Sequence, residues 1–147
     1  MSAFLIGTGI SAALILSCTA IFYEIIAHTW VILPRLSGKR AQILFTIFAT
    51  FLAHTILVWL FGGVMYLLDT QFAFGVLKGA EGGAFLPYVY FSGVTYSSLG
   101  YGTYTATGGL QLLAVVEAVL GLTLIGWSVT FTYLVAQKYL FHRRRPD

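Results

Sequence analysis

The chain of 147 residues is 59% hydrophobic and only 9% charged, with a mean hydropathy of +0.88, a balance that an ordinary soluble domain does not carry. Eight Lys and Arg against five Asp and Glu leave a net charge of +3, and these bases are too few, and too confined to the ends of apolar runs, to serve a nucleic-acid surface. The lone Cys18 excludes an intrachain disulfide and a thiolate metal cluster and suits a small apolar packing role.

In chain order, residues 3–33 hold Glu24 and His28 but no Lys or Arg, and they exceed the roughly 20 residues that cross a bilayer. Met1–Gly7 lacks the basic start of a secretory signal and the apolar run is too long for one, so a spanning helix is expected, ending at Pro34. Pro34–Arg40 gathers Arg35, Lys39 and Arg40 into a tight polar turn. A second apolar helix is predicted over 41–69, closed by Asp69 and Thr70. Gln71–Gly83, with four glycines and with Lys78 and Glu81, has no sustained period and reads as a flexible turret-like loop. Residues 85–97 have the length of a half-membrane helix. Residues 110–139 form a last full span, followed by Arg143, Arg144 and Arg145. The fold class expected is therefore an all-α membrane protein with three transmembrane helices and one re-entrant helix.

The basic residues orient this topology. Arg35, Lys39 and Arg40 flank one end of the first two spans, and Lys138 with the C-terminal arginines flanks the end of the last, leaving Lys78 on the other side. Bases accumulate on the cytoplasmic face, so the expectation is a multi-pass protein of the cell membrane with its N-terminus outside and its C-terminus in the cytoplasm.

The stretch Ser98-Leu99-Gly100-Tyr101-Gly102, entered through Tyr88–Ser97, carries the functional signal. A dehydrated cation needs a ring of oxygens in place of its water, and backbone carbonyls supply one. For successive carbonyls to point the same way the backbone alternates between ordinary and left-handed dihedrals, which glycine accepts without steric cost. Gly100 and Gly102 stand where that alternation requires them. One loop offers one side of a coordination cage, so a closed ring of identical subunits is expected.

This stretch resembles the pore helix and selectivity filter of potassium channels, whose usual filter reads Thr-Val-Gly-Tyr-Gly, and the resemblance covers roughly 41–139. It implies a pore module over 41–147, preceded by an additional N-terminal helix at 1–34 that lies outside the family pattern. It implies a homotetramer in membrane lipid that conducts potassium, the permeant ion being held by carbonyls of Ser98, Leu99, Gly100 and Tyr101, with no other cofactor. A separate regulatory subunit is a further candidate partner, and no nucleic acid is expected. Filter support is assigned by resemblance to Tyr90 and Phe91 as an aromatic cuff, to Thr95 and Ser97, and to Thr103 and Glu117. Gly121 and Gly126 are the candidate gate or hinge, and Leu122, Ile125 and Val129 the cavity-facing positions. Ser98 and Leu99 replace Thr and Val of the usual filter. Thr103 replaces the Asp that braces the filter in the family, which lowers the expected filter rigidity.

Four ionisable groups fall inside the apolar runs: Glu24, His28, His54 and Glu117. Such groups face protein or water. Glu24 and His28 share a helix face, and His54 is placed at a similar depth, so a polar contact between the first two helices is expected, acting as structural glue in preference to the alternative, a proton sensor. Glu117 has two expected uses, a ring of carboxylates close to the filter that attracts cations, or a brace that holds the pore helix through the Thr95 or Ser97 hydroxyl, the second being favoured. No nucleophile, base and orienter assemble into an enzyme site. Two other classes compete with a conducting channel: a non-conducting or regulatory channel-like subunit, favoured by Thr103, and a small proton-coupled transporter using Glu24.

Overall fold

The computed structural model describes residues 2–80 and 82–141. Glu81 and the terminal bases Arg143, Arg144 and Arg145 lie outside the described residues. The elements run α1 (Ser2–Ile32), a single 3-10 turn (Leu33–Arg35), α2 (Lys39–Thr70), β1 (Leu77–Lys78), α3 (Leu86–Tyr96), β2 (Thr105–Ala106) and α4 (Leu110–Ala136), with a π turn over Gln137–Phe141. Among the described residues, three helices are long and apolar enough to cross a membrane: Leu5–Arg35, Lys39–Thr70 and Leu110–Tyr139. At 1.5 Å per residue the 32 residues of α2 extend about 48 Å, whereas the 11 residues of α3 extend about 16 Å, half the thickness of a hydrocarbon core. Helix is the only open structure that closes its backbone hydrogen bonds without water, so the long apolar runs have no other outcome in lipid.

The α1–α2 connection is held by Gln42, whose Nε2 donates to the carbonyls of Leu33 (3.1 Å) and Leu36 (3.3 Å). The two ends of the bundle can be told apart by contacts. At one, Lys138 Nζ lies 4.4 Å from the centre of the Trp30 ring, which joins the end of α4 to the end of α1 near Arg35 and Lys39. At the other, the Phe74 ring lies beside Gly7 of α1 and Gly109 at the start of α4. The described basic residues other than Lys78 thus gather at a single end.

Helix α3 packs against α2 and α4, α1 packs against the same two helices, and the core between the elements is apolar: Cys18, Phe22, Leu57, Phe61, Met65, Leu110 and Leu113 are all fully buried. Outward faces of the spans carry Leu16, Phe48, Phe51, Trp127 and Tyr133 exposed, as a lipid-facing surface requires.

The loop after α2 departs from the flexible turret expected of its composition. Leu77 and Lys78 pair antiparallel with Ala106 and Thr105. Around that ladder the backbone of Thr107 donates to Val76 O (2.9 Å), Gly109 N donates to Phe74 O (2.9 Å), and Phe74 N donates to Leu68 O (3.0 Å). Period-based reading fails here because two-residue strands have no period to show; their pairing is decided by which loops meet in space.

Candidate pore and selectivity filter

The filter segment begins where α3 ends. Ser97 N and Ser98 N donate to the carbonyls of Gly93 (3.1 Å) and Thr95 (2.9 Å), and Leu99 N donates to Val94 O (2.9 Å), so the helix is closed by its own next residues. The Ser97 hydroxyl turns back onto Gly93 O at 2.7 Å. Beyond this point the dihedrals alternate: φ is +58° at Ser98, +62° at Gly100 and +71° at Gly102, while Leu99 and Tyr101 between them keep negative φ. Gly100 and Gly102 stand where the alternation was expected, and Ser98 extends it by one residue. A non-glycine residue at left-handed φ costs energy and persists only where surrounding structure imposes it. Here it sets the direction of the first carbonyl of the segment. Composition hides this feature, since serine carries no signature of left-handed backbone.

All five residues from Ser98 to Gly102 are exposed in the isolated chain, Leu99 by 56% and Tyr101 by 67%. Tyr90 meets the Tyr104 ring edge-on at 5.7 Å. Tyr101 makes no ring contact with Tyr90 or Phe91 within the chain. Behind the segment a space of about 360 Å³ is lined by Tyr90, Phe91, Thr95 and Thr103, among others. Four of the residues assigned to filter support therefore surround one volume. Ser97 caps the helix instead.

Glu117 meets α3 at a residue other than the two expected. It is fully buried on α4 and bonded to the hydroxyl of Ser92 on α3, not to Thr95 or Ser97. Helical rotation decides this: Ser92 lies on the buried face of α3, while Ser97 is exposed and committed to its own carbonyls. Ser92 Oγ also lies 2.8 Å from Val58 O of α2, so one hydroxyl ties three helices. A hydroxyl has one proton, and a carbonyl has none to give. Both contacts are satisfied together when the Glu117 carboxyl carries the second proton and donates it to Ser92.

At the opposite end of α3, Asp69 Oδ2 accepts from Tyr88 Oη (2.6 Å) and from Leu77 N (2.8 Å). This carboxylate joins the end of α2, the loop and the start of the pore helix. Burial and the bond to Asp69 push the Tyr88 phenol above its usual value. In the sequence Asp69 marks only the end of a span. The signal available was an acid closing a span ahead of a tyrosine at the start of the re-entrant helix.

His54 does not reach Glu24 or His28. Its Nδ1 lies 2.7 Å from Tyr96 Oη and its Nε2 lies 2.7 Å from Ser128 Oγ, between α3 and α4. Glu24 and His28 contact each other, with His28 Nδ1 3.5 Å from Glu24 Oε2, and their side chains are 65% and 74% exposed beside a groove between α1 and α2. The expected glue between the first two helices is thus absent from these three residues; equal depth placed them together, but their helix faces point apart.

Gly121 and Gly126 differ in setting. Helix α4 is unbroken through both. A Cβ on Gly121 would run into the Tyr96 carbonyl oxygen and lie 2.9 Å from its carbon, whereas among the described residues nothing comes within 4 Å of one on Gly126. Gly121 lets α4 touch the backbone of α3, one turn from Glu117. Of the cavity-facing positions, Leu122 and Val129 are exposed, and Ile125 is partly buried against the core.

A sequence model described as ion channel matches residues 53–138. The chain belongs to this ion channel family. The match takes in the second half of α2, α3, the candidate filter and α4, and α1 lies outside it. It starts within α2 at Ala53, twelve residues after the expected limit at Ala41. No curated protein and no solved structure matches the channel.

Proposed function

We propose that the protein is a potassium-selective channel in which four copies close a ring of backbone carbonyls from Ser98, Leu99, Gly100 and Tyr101. The observation that carries the proposal is the alternation of left-handed φ at Ser98, Gly100 and Gly102, because that backbone turns consecutive carbonyls toward one side and needs no side-chain ligand. Exposure of the whole segment in one chain supports assembly. A single loop leaves the ion with ligands on one side only, and symmetric copies supply the others. The Ser98 hydroxyl makes no hydrogen bond to the described residues and is available as a ligand at the inner end. With the basic cluster in the cytoplasm, the N-terminus lies outside and the filter lies toward the outer face.

The support behind the segment is hydrogen-bonded at three levels, through Asp69, Ser92 with Glu117, and His54. In this chain those contacts act on the pore helix, and Thr103 stands where the family brace would act on the filter. Selectivity for potassium over sodium is therefore expected at or somewhat below the family norm, with a filter prone to close when external potassium is low.

The test is the reversal potential of the reconstituted full chain under bi-ionic potassium and sodium. A potential well away from zero, in the direction of potassium, is expected, together with a tetramer on cross-linking in membranes. A potential near zero refutes potassium selectivity. A stable monomer or dimer refutes the ring. Protein that assembles as a tetramer and passes no current would favour the regulatory-subunit reading, and slow proton-coupled flux the transporter reading.

A further inference from the structure

His54 stands at the wall of a cleft of about 620 Å³ that opens beneath the pore helix, between α2 and α4. It is partly buried, and both its ring nitrogens are engaged by different elements. Tyr96 is the last residue of α3, two positions before the filter segment. Ser128 lies on α4, two positions beyond Gly126. We infer that neutral His54 is a positioning residue that couples α4 to the filter end of α3, and that protonation of its imidazole breaks the coupling. The functional half of this inference rests on the channel reading above; the structural half rests on hydrogen-bond geometry alone.

Counting protons selects one state. Ser128 Oγ lies 3.0 Å from Leu124 O and 3.1 Å from Ile125 O, so its single proton has acceptors on its own helix, whereas Tyr96 Oη has His54 alone among the described residues; the arrangement that satisfies both hydroxyls sends the Ser128 proton to α4. Ser128 then has only lone pairs to offer His54, and Nε2 must carry a proton to bond it. In a neutral ring Nδ1 is then bare and accepts from Tyr96 Oη. Every proton in the chain from Tyr96 through His54 and Ser128 to α4 finds an acceptor. An imidazolium carries a proton on Nδ1 as well. Tyr96 Oη has no other partner among the described residues, so its own proton is stranded at a buried site, and an unmade buried hydrogen bond costs more than a made one returns. The phenol leaves, and the link from α4 to the filter is lost.

The surroundings suit a proton-sensitive link. From α1 the Phe22 ring faces His54 at 5.5 Å. From α3 Tyr96 faces it edge-on at 5.6 Å. The titratable groups behind Tyr96 are Cys18 on α1 and Glu117 on α4. On the cleft side the lining holds the hydroxyls of Thr50, Thr55, Ser97 and Thr132 and no Asp, Glu, Lys or Arg. Among the described residues of the cleft, His54 is thus the one group that changes charge between about pH 5 and 8.

Two measurements on the full chain test the inference. In bilayer recordings, lowering the pH from 8 to 5 is expected to reduce open probability on the order of tenfold, as one lost buried hydrogen bond would. His54→Gln is expected to abolish that response, and Tyr96→Phe to show the reduced activity already at pH 8. A response that persists in His54→Gln overturns the coupling. In ¹⁵N NMR of the reconstituted protein, His54 at pH 8 is expected as the Nε2–H tautomer, with an Nδ1 shift that moves in Tyr96→Phe. An Nδ1–H tautomer, or an Nδ1 shift indifferent to Tyr96, also overturns it. Protein that passes no current at any pH refutes the channel reading, and the NMR pair still decides the coupling.

Discussion

Replacing Gly121 by Ala tests whether this glycine is a contact or a hinge. The added Cβ meets the carbonyl oxygen of Tyr96 and stands 2.9 Å from its carbon and 3.1 Å from its Cα, where ordinary contact begins at 3.4 Å. All three atoms are backbone, so no rotamer change relieves the clash. Helix α4 and the end of α3 must separate by about 1 Å, which places the cost in the upper part of the range for overpacking, about 2–3 kcal/mol. The same separation lengthens the contacts from Ser92 to Glu117 and from His54 to Ser128, which keeps the cost from being absorbed locally. Thermal unfolding of the detergent-solubilised protein is expected to show a fall in Tm of about 5–10 °C. Gly126→Ala is the internal control. It adds a methyl in open space within an exposed helical turn and gains about 0.5–1 kcal/mol of helix preference. An unchanged Tm in Gly121→Ala, or a greater loss in Gly126→Ala, would refute the contact argument and favour a bending role.

Other expectations follow from the filter and its supports. Gly100→Ala places a Cβ at φ +62° and is expected to abolish conduction or selectivity; unchanged bi-ionic reversal potentials would remove Ser98–Gly102 from the ion path. Ser92→Ala strands the buried Glu117 carboxyl and is expected to cost about 1–3 kcal/mol, while Glu117→Gln, whose amide also donates to Ser92, should cost less than about 1 kcal/mol. Comparable Tm losses in the two variants would count against a protonated Glu117. The Tyr88–Asp69 bond stabilises the fold only while the phenol keeps its proton, and folding raises the phenol's pKa. Its contribution is thus fully present below the unfolded value of about 10 and is lost as pH rises beyond it. Between pH 10 and 12 wild-type Tm should fall more steeply than that of Tyr88→Phe, and parallel curves would show that the bond contributes nothing.

Much of the architecture was legible because it is written in local terms. Apolar length alone marks the three spans and the half-length re-entrant helix, since a bilayer admits few backbone solutions. The left-handed dihedrals of the candidate filter were legible for a similar reason: they favour glycine, and Gly100 and Gly102 announce them, though Ser98 does not. The side-chain partners were not legible. Counting residues from a helix end gives depth, and by depth Glu24 and His54 belonged together. The azimuth of each residue about its helix, and the way the helices are rotated against one another, turned His54 to Tyr96 and Ser128 and left Glu24 with His28. Glu117 found Ser92, and Asp69 found Tyr88, through the same rotation. Likewise, Gly121 reads as a hinge or as a contact until the Tyr96 backbone is seen against it. What the sequence determined unaided were the properties that one helix or one loop possesses alone, length and permitted dihedrals. Tertiary structure decided every relation between two elements, because a hydrogen bond needs its partner within about 3 Å, and only packing brings residues from different helices to that distance.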